Sequence, residues 1–219
     1  MEEFFHFFNI NNVFFVFLGY EMSYLEFFGT ILNIASVYLV AKNKIWTWPI
    51  GNIAVILFAI LFFQIQLYSD FFEQIYFLIT GFYGWWVWAQ KGKEKAKMPV
   101  SYSSKKSKLV YIGIIAIGTI LMGYSVSNIH LWWPSLFAIA ASFPYLDAFT
   151  TVMSFAATIL MAHKKIECWY LWILVDIIGI GLYSVKGVMF IALLYVIFLI
   201  IASNGLVQWR RIYNKQEKI

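Results

Sequence analysis

The chain has 219 residues, of which 62% are hydrophobic and only 12% are charged, and its mean hydropathy is +0.75. A soluble domain would carry about twice that share of charged residues, so long apolar stretches of this chain must lie in lipid. The net charge of +5 would suit nucleic acid, but the positions of the basic residues assign them to membrane topology and exclude that partner.

The first twenty residues, MEEFFHFFNINNVFFVFLGY, are rich in aromatic side chains. They contain two acids and no basic n-region, so they do not form a secretory signal. We predict that residues 1–21 form a short interfacial helix, with a membrane crossing as the less favoured alternative.

Seven apolar stretches follow, each close to the ~20 residues that a membrane-spanning helix needs. None alternates with the period of two that is typical of barrel strands. We therefore predict an all-α, polytopic membrane protein whose seven transmembrane helices lie roughly at 24–41, 48–67, 70–89, 109–127, 145–162, 169–185 and 188–207.

The basic residues test this count, because cytoplasmic loops carry an excess of Lys and Arg. With seven crossings, all of the 16 Lys and Arg residues except Lys186 fall on one side of the membrane. The count therefore predicts a multi-pass protein of the inner (plasma) membrane, with its N-terminus outside and its C-terminus in the cytoplasm.

An internal repeat organises the chain. The stretch LEFFGTILNIASVYLVAKNKIWTW, from residue 25, matches LDAFTTVMSFAATILMAHKKIECW, from residue 146. At this offset of 121 residues the matching pairs are Glu26 and Asp147, Thr30 and Thr151, Lys44 and Lys165, Trp48 and Trp169, Gly84 and Gly205, and Trp88 and Trp209. Two three-helix repeats joined by a single crossing run in the same direction, which gives a 3+1+3 arrangement of parallel repeats.

The domain organisation follows from the repeat. The predicted segments are an N-terminal interfacial segment (1–21), the first three-helix repeat (22–90), a cytoplasmic basic loop (91–108), a linker helix with its outer connection (109–142), the second three-helix repeat (143–209) and a cytoplasmic tail (210–219). Transporters built from repeats bind their substrate near mid-membrane between the repeats, so polar residues at that depth are candidates for a site.

The run WYLWILVDIIGIGLYS, residues 169–184, places Asp176 near the middle of a predicted crossing. An ionised Asp at that depth costs about 2.5–3.5 kcal/mol on insertion scales, so such residues face the protein interior and usually act there. Trp169, Trp172 and Tyr183 share its helical face. Two tryptophans beside a carboxylate suit a flat, cationic or polar ligand through stacking and cation–π attraction. The alternative is a structural acid bonded to a hydroxyl of a neighbouring helix.

Other polar residues lie at comparable depth. Asn33 and Ser154, which the repeat superposes, lie on the predicted first and fifth crossings. Trp48 and Asn52 share a face at the start of the second crossing, and Gln74 lies on the third. Each is a candidate ligand contact. Interhelical hydrogen bonding, which polar residues provide in membrane bundles, is the alternative for each.

We do not expect an enzyme. The chain contains no G-x-x-x-x-G-K-[ST] phosphate loop, and no Ser, His and Asp fall at one depth of the predicted bundle. His6, His130 and His163 share no metal-ligand spacing, and the single cysteine, Cys168, allows no internal disulfide. We therefore expect no catalytic residue, no metal and no cofactor.

Several blocks of the chain resemble the PnuC-type (Pnu) family of vitamin transporters: FFQIQLYSDFFEQIYF, YGWWVW, DAFTTVMSFAATILMAHKKIECWYLWILVDIIGIGLY and KGVMFIALLYVIFLIIASNG. The resemblance covers residues 22–90 and 143–211. It implies a 3+1+3 bundle related to the SWEET sugar carriers, with a single central site. The site residues that it implies are Trp169, Trp172, Asp176, Gln74 and Asn52.

The resemblance also implies uptake of nicotinamide riboside by facilitated diffusion, with a functional link to a cytosolic kinase that traps the vitamin by phosphorylation. A carrier of thiamine or riboflavin is the alternative within the family, because relatives differ in substrate and thiamine is also a flat cation. A membrane scaffold subunit without transport activity is the alternative outside it. The expected partners are a small vitamin and the lipid bilayer.

Overall fold

The computed structural model describes residues 8–17, 19–65, 67–90, 98–135, 137 and 140–217. In this part of the chain a two-stranded hairpin precedes seven helices: α1 (Tyr24–Ala41), α2 (Thr47–Gln64), α3 (Tyr68–Ala89), α4 (Lys105–Trp132), α5 (Pro144–Ala162), α6 (Glu167–Val185) and α7 (Met189–Gln216). The predicted helical, polytopic architecture is therefore confirmed.

Six of these helices are long and apolar enough to cross a membrane. The seventh, α3, has 22 residues but is less apolar, since Asp70, Glu73 and Gln74 lie in its first two turns.

Two helices are longer than the sequence predicted. α4 begins at Lys105 rather than near residue 109, because the Ser104 hydroxyl accepts the backbone N–H of Ser107 at 3.2 Å and caps the helix. α7 continues through most of the predicted tail, because residues 210–216 contain neither glycine nor proline. Its 28 residues span about 42 Å, more than the bilayer core of about 30 Å, so its basic residues project beyond the apolar span.

The interfacial helix predicted within residues 1–21 is wrong for the residues that the structure describes; residues 1–7 lie outside them. Val13–Phe17 (β1) pairs antiparallel with Tyr20–Ser23 (β2). Aromatic and β-branched residues favour strands as readily as an interfacial position. Gly19, in the connection, has a φ of +79°, which few other residues adopt. The segment therefore folds back as a hairpin.

The start of α1 is fixed by a capping box that also anchors the hairpin. Ser23 Oγ accepts the N–H of Glu26 at 3.3 Å, and the Glu26 carboxylate accepts the N–H of Ser23 at 2.8 Å. The Tyr20 hydroxyl donates to the same carboxylate at 2.5 Å. Burial and this hydrogen bond raise the pKa of Tyr20 above its ordinary value, which keeps the hydroxyl protonated as a donor. Glu26 therefore has a structural role.

Six helices pack in a closed ring, in the order α1, α2, α3, α5, α6, α7 and back to α1. The two seams between the repeats are α3 against α5 and α7 against α1, and the 121-residue offset interchanges them. α4 packs against α5 outside the ring and leaves most of its surface exposed. The predicted parallel repeats and their linker helix thus form a ring with a pseudo-twofold axis.

The same tryptophan–glycine contact recurs in both repeats. A Cβ atom placed on Gly84 would lie 2.2 Å from Trp48 Cη2, and one placed on Gly205 would lie 2.5 Å from Trp169 Cη2. Only a residue without a side chain allows these indoles to lie against the facing helix backbone. The contact therefore holds α3 against α2 and α7 against α6.

A second pair of tryptophans links the two repeats. Trp88 Nε1 donates to the carbonyl of Ala162, at the end of α5, and Trp209 Nε1 donates to that of Val40, near the end of α1. Both distances are 3.0 Å. One bond of this equivalent pair crosses each seam, so the pair ties the two repeats together symmetrically at this end of the bundle.

Residues 98–104, which precede α4, run along the turn between α5 and α6. The N–H of Ser101 donates to the Lys164 carbonyl at 3.1 Å. The N–H of Ser103 donates to the two carboxylate oxygens of Glu167 at 3.1 and 3.0 Å. This part of the predicted basic loop is thus bonded to the second repeat, and it fixes where α4 begins.

We expect Gly84→Ala to destabilise the protein, because the added methyl group would overlap the Trp48 indole. Overpacked cores lose about 1–3 kcal/mol. Gly113→Ala is the matched control, since a Cβ atom there meets nothing within 4 Å and Ala favours a helix over Gly. Thermal unfolding of the purified protein in detergent measures both variants. Equal unfolding midpoints would contradict the close approach of Trp48 to α3.

Candidate functional site

The two ends of the bundle carry opposite charges. We call the end at which α1, α3, α5 and α7 begin the acidic end, because it carries Glu26, Asp70, Glu73 and Asp147. The opposite end, the basic end, carries every described Lys and Arg except Lys186. Such a separation creates a field along the bundle that attracts cations to the acidic end.

Four tryptophans cross the ring near the basic end, and we call them the tryptophan layer. Trp48 contacts Trp88 edge to face, with 5.6 Å between ring centroids, and Trp169 contacts Trp209 in the same way at 5.4 Å. Trp88 and Trp209 approach each other at 6.2 Å. These last two residues lie on α3 and α7, which are opposite each other in the ring. The tryptophan layer therefore closes the interior at the basic end.

Trp48 and Trp169, both predicted ligand contacts, belong to this layer. Trp48 is 4% exposed and Trp169 is 1% exposed. Each indole rests on a glycine of the facing helix and on another tryptophan. Neither Nε1–H has a hydrogen-bond partner among the described residues. The structure thus gives both residues a packing role, and their contact with a ligand stays a prediction.

The carboxylate of Asp176 is buried in the middle of α6. The residue is 3% exposed, and no described residue donates a hydrogen bond to its carboxylate or forms an ion pair with it. A buried charge without a partner is costly. The alternative of a structural acid bonded to a neighbouring helix finds no donor among these residues. The carboxylate is therefore available to accept hydrogen bonds from a ligand or to offset its positive charge.

Asn52 lies on α2, the helix opposite α6 in the ring. Its side chain is 5% exposed, and its Nδ2 has no acceptor in the part of the chain that the structure describes. Its Oδ1 lies against the backbone of Gly81, where an added Cβ atom would come within 1.9 Å. The missing side chain of Gly81 thus makes room for the amide, which leaves a buried donor on α2 and a buried acceptor on α6.

Tyr195 of α7 is a candidate site residue that the sequence analysis missed. Its ring packs on Gly179, one helical turn from Asp176, where an added Cβ atom would come within 2.5 Å of it. It also stacks on Tyr183, with 5.5 Å between ring centroids and 19° between ring planes. The signal was present in the repeat, because Tyr195 is the equivalent of Gln74 at the offset of 121 residues.

Tyr183 connects this region to the acidic end. Lys186 Nζ lies 5.6 Å from the centroid of its ring and 3.5 Å from Asp147 Oδ1. The structure therefore places Tyr183 near the mouth of the ring, farther from the tryptophan layer than Asp176 is.

The remaining predicted residues are spread over four helices. Trp172 on α6 is half-buried and contacts the hydrophobic cluster around the tryptophan layer. Gln74 on α3 and Asn33 on α1 are also half-buried. Ser154 on α5 is buried and donates to the Thr150 carbonyl of its own helix at 2.9 Å, which accounts for its hydroxyl without a ligand. Their contacts with a ligand stay predictions.

Comparisons with known proteins are consistent across sequence and structure. A family profile described as "Nicotinamide mononucleotide transporter" matches residues 23–211. The nicotinamide riboside transporter PnuC of Escherichia coli (strain K12) is 28% identical over 207 residues, 87% of each chain. The riboflavin/roseoflavin transporter RibM of Streptomyces davaonensis is 26% identical over 204 residues, 91% of each chain.

The fold also matches a solved structure. The crystal structure of the vitamin B3 transporter PnuC superposes with a TM-score of 0.65 and a sequence identity of 24%. The match covers 88% of this chain and 83% of that one. At this level of identity it shows a shared fold, and the family assignment comes from the sequence profile.

We expect Asp176→Asn to raise the thermal stability of the ligand-free protein. The substitution keeps the shape of the side chain and removes the cost of ionising an acid that is buried without a partner, a gain on the order of 1 kcal/mol. The control is Asp147→Asn at the acidic end, where the ion pair with Lys186 is half exposed and worth about 0–1 kcal/mol. A lower unfolding midpoint for Asp176→Asn would show that the carboxylate is a structural hydrogen-bond acceptor.

Proposed function

This chain belongs to the nicotinamide mononucleotide transporter family, and from that premise we propose that it carries nicotinamide riboside across the membrane. The observation that carries the proposal is the buried carboxylate of Asp176, which no described residue neutralises. Nicotinamide riboside contains a pyridinium cation, and a cation beside a buried carboxylate offsets the cost of that charge. The PnuC relatives, named for this substrate, support the same assignment.

We assign the roles within the site from the chemistry of the groups present. Asp176 would offset the pyridinium charge. The unpartnered Nδ2 of Asn52 would donate to the carboxamide oxygen of the ligand. Trp172 and Tyr195 offer aromatic faces for the pyridinium ring, where a cation–π contact adds about 0.5–2 kcal/mol. Gln74 would bond the ribose hydroxyls.

The charge of the site favours the nucleoside over the mononucleotide that the family description names. A phosphate group would bring further negative charge close to Asp176, where the low dielectric strengthens repulsion. Lys186, the one Lys or Arg at the acidic end of the described chain, already pairs with Asp147. A phosphorylated ligand would therefore bind less well than the riboside.

Riboflavin is the second candidate substrate, because a riboflavin/roseoflavin transporter is among the relatives. Its ring system is larger than a pyridinium ring and carries no positive charge. Asp176 would serve riboflavin only as a hydrogen-bond acceptor, which leaves the buried charge without a counterion. Thiamine, the other alternative from the sequence, is also a flat cation, so Asp176 does not distinguish it from nicotinamide riboside. Competition between the two vitamins for binding to the purified protein separates these substrates. Membership of a transporter family argues against a scaffold without transport activity.

We infer that transport is facilitated diffusion. The sequence contains no phosphate loop for ATP hydrolysis. The tryptophan layer closes the basic end, and Asp176 lies on the acidic side of this layer, so alternate opening of the two ends around Asp176 would move the ligand. Net uptake then needs removal of the riboside inside the cell. A cytosolic kinase would supply that step, because the phosphorylated product fits the acidic site less well.

The basic end would face the cytoplasm, following the positive-inside rule. We expect a reporter fused after Lys218 to be active only as a cytoplasmic reporter. The matched control is an insertion at Gly187, between α6 and α7 at the opposite end of the bundle, which should be active only outside. Reversed activities would overturn the orientation.

We expect nicotinamide riboside to equilibrate across vesicles that contain the purified protein, without ATP and without accumulation above the outside concentration. Asp176→Ala should weaken binding of the riboside about 10–100-fold, the loss of a charge-assisted contact of about 1.4–2.8 kcal/mol. Asp147→Ala, outside the proposed site, should change it less than about twofold.

Three outcomes would contradict this assignment. If riboflavin displaces bound nicotinamide riboside more effectively than thiamine or added nicotinamide riboside does, the flavin is the favoured substrate. Accumulation driven by a proton or sodium gradient would exclude facilitated diffusion. Normal riboside affinity in the folded fraction of Asp176→Ala would remove Asp176 from the site.

A further inference from the structure

A groove opens on the outside of the ring, at the seam that α4 flanks. Its cavity has a volume of about 590 Å³ and is lined by residues of α3, α4 and α5. Val152, Phe155, Ala156 and Ile159 form the wall on α5, and Val110 and Ile114 form the wall on α4. The volume falls in the range of about 300–1,000 Å³ that is typical of small-molecule sites. The walls are apolar, so the groove suits a hydrocarbon chain.

The groove has the length of one lipid leaflet. On α4 its lining extends from Ser104 to Ile114, which corresponds to about 15 Å along a helix. The hydrocarbon core of a bilayer is about 30 Å thick, so one leaflet contributes half of that. Because α4 begins at the basic end, the groove starts at that membrane surface and ends near the bilayer centre.

The entrance of the groove is basic and polar, unlike its walls. Lys106, Ser104 and Ser107 line it at the first turn of α4. Lys108, two residues further along α4, forms an ion pair with Glu167 at 2.8 Å, whereas Lys106 forms no ion pair with any described residue and is exposed. A free ammonium and hydroxyl groups at the membrane surface suit a phosphate group, and basic pockets between helices at this surface bind anionic lipid head groups.

The second seam provides an internal comparison. Its cavity, between α7 and α1, has a volume of about 190 Å³ and opens toward the acidic end under the hairpin. Ile34 and Ile197 there are the repeat equivalents of Phe155 and Tyr76 in the larger groove. No charged residue lines this smaller cavity in the described chain. The combination of an apolar groove and a basic entrance therefore belongs to the α4 side alone.

We propose that the groove between α3, α4 and α5 binds one anionic phospholipid of the leaflet at the basic end. One acyl chain lies along the apolar walls, and the phosphate contacts Lys106 and the serine hydroxyls at the start of α4. The bound lipid fills the space between the linker helix and the α3–α5 seam, which is one of the two seams between the repeats. The site is separate from Asp176 and does not depend on which vitamin is carried.

The test measures lipid binding to the purified full-length protein by native mass spectrometry. Detergent micelles are doped with equal amounts of phosphatidylglycerol and phosphatidylcholine that carry the same acyl chains. We expect one phosphatidylglycerol per chain to be retained, with at least a tenfold preference over phosphatidylcholine. Glycerol 3-phosphate, which has the head-group phosphate without acyl chains, should not compete.

Two pairs of variants separate the head-group contact from the acyl-chain contact. Lys106→Gln should reduce the preference for phosphatidylglycerol at least fivefold, and Lys105→Gln, its neighbour outside the lining, should reduce it less than twofold. Ala156→Phe should fill the groove and remove either lipid, and Ala116→Phe, on the exposed surface of α4, should remove neither. If Ala156→Phe fails to fold, Ile114→Trp fills the same groove from the half-exposed side of α4.

Three results would overturn the proposal. Equal retention of the two lipids would show that the entrance does not select an anionic head group. Equal effects of Lys106→Gln and Lys105→Gln would assign the preference to general surface charge. A groove-filling variant that keeps its lipid but loses an oligomeric mass would show that a second copy of the chain occupies the groove.

Discussion

The rest of this structure depends on two indoles that pack directly against helix backbone at glycine positions. Trp48 can lie on α3 and Trp169 on α7 only because glycine is present at the facing positions, Gly84 and Gly205. These contacts bring the third helix of each repeat close enough for Trp88 and Trp209 to reach across the seams. The ring, its closure at the basic end and the depth of the interior beyond it all follow from these two approaches.

The scaffold is symmetric, and the candidate site is not. At the offset of 121 residues, tryptophans and glycines of the scaffold coincide, whereas Asp176 corresponds to Val55 and Asn52 to Ile173. A vitamin with a charged ring on one side and a sugar on the other has no twofold symmetry, so a symmetric set of polar residues would leave some of them unpartnered when it binds. Each buried group without a partner carries a cost, which favours a single acceptor on one repeat and a single donor on the other.

The sequence predicted the helices and the repeat well, because both depend on patterns along the chain. It could not separate packing from binding for Trp48 and Trp169, since either role needs an aromatic ring on an interior helix face. Tyr195 was not predicted because it belongs to no polar stripe in the sequence, although the repeat relates this residue to Gln74. The hairpin was missed because the same aromatic residues suit an interfacial helix, and the choice depends on contacts such as that of Tyr20 with Glu26.

The strength of the contacts suggests which parts of the protein move. Opening the basic end would separate Trp88 from Trp209, an aromatic pair worth about 0.5–1.5 kcal/mol. It would also break their two hydrogen bonds across the seams, each worth about 0.5–1.5 kcal/mol. Together these three contacts contribute about 1.5–4.5 kcal/mol to closure, a difference that a ligand with unequal affinity for two states can overcome. The tryptophan–glycine contacts lie within each repeat and stay intact, so the repeats can move as rigid units about their two seams.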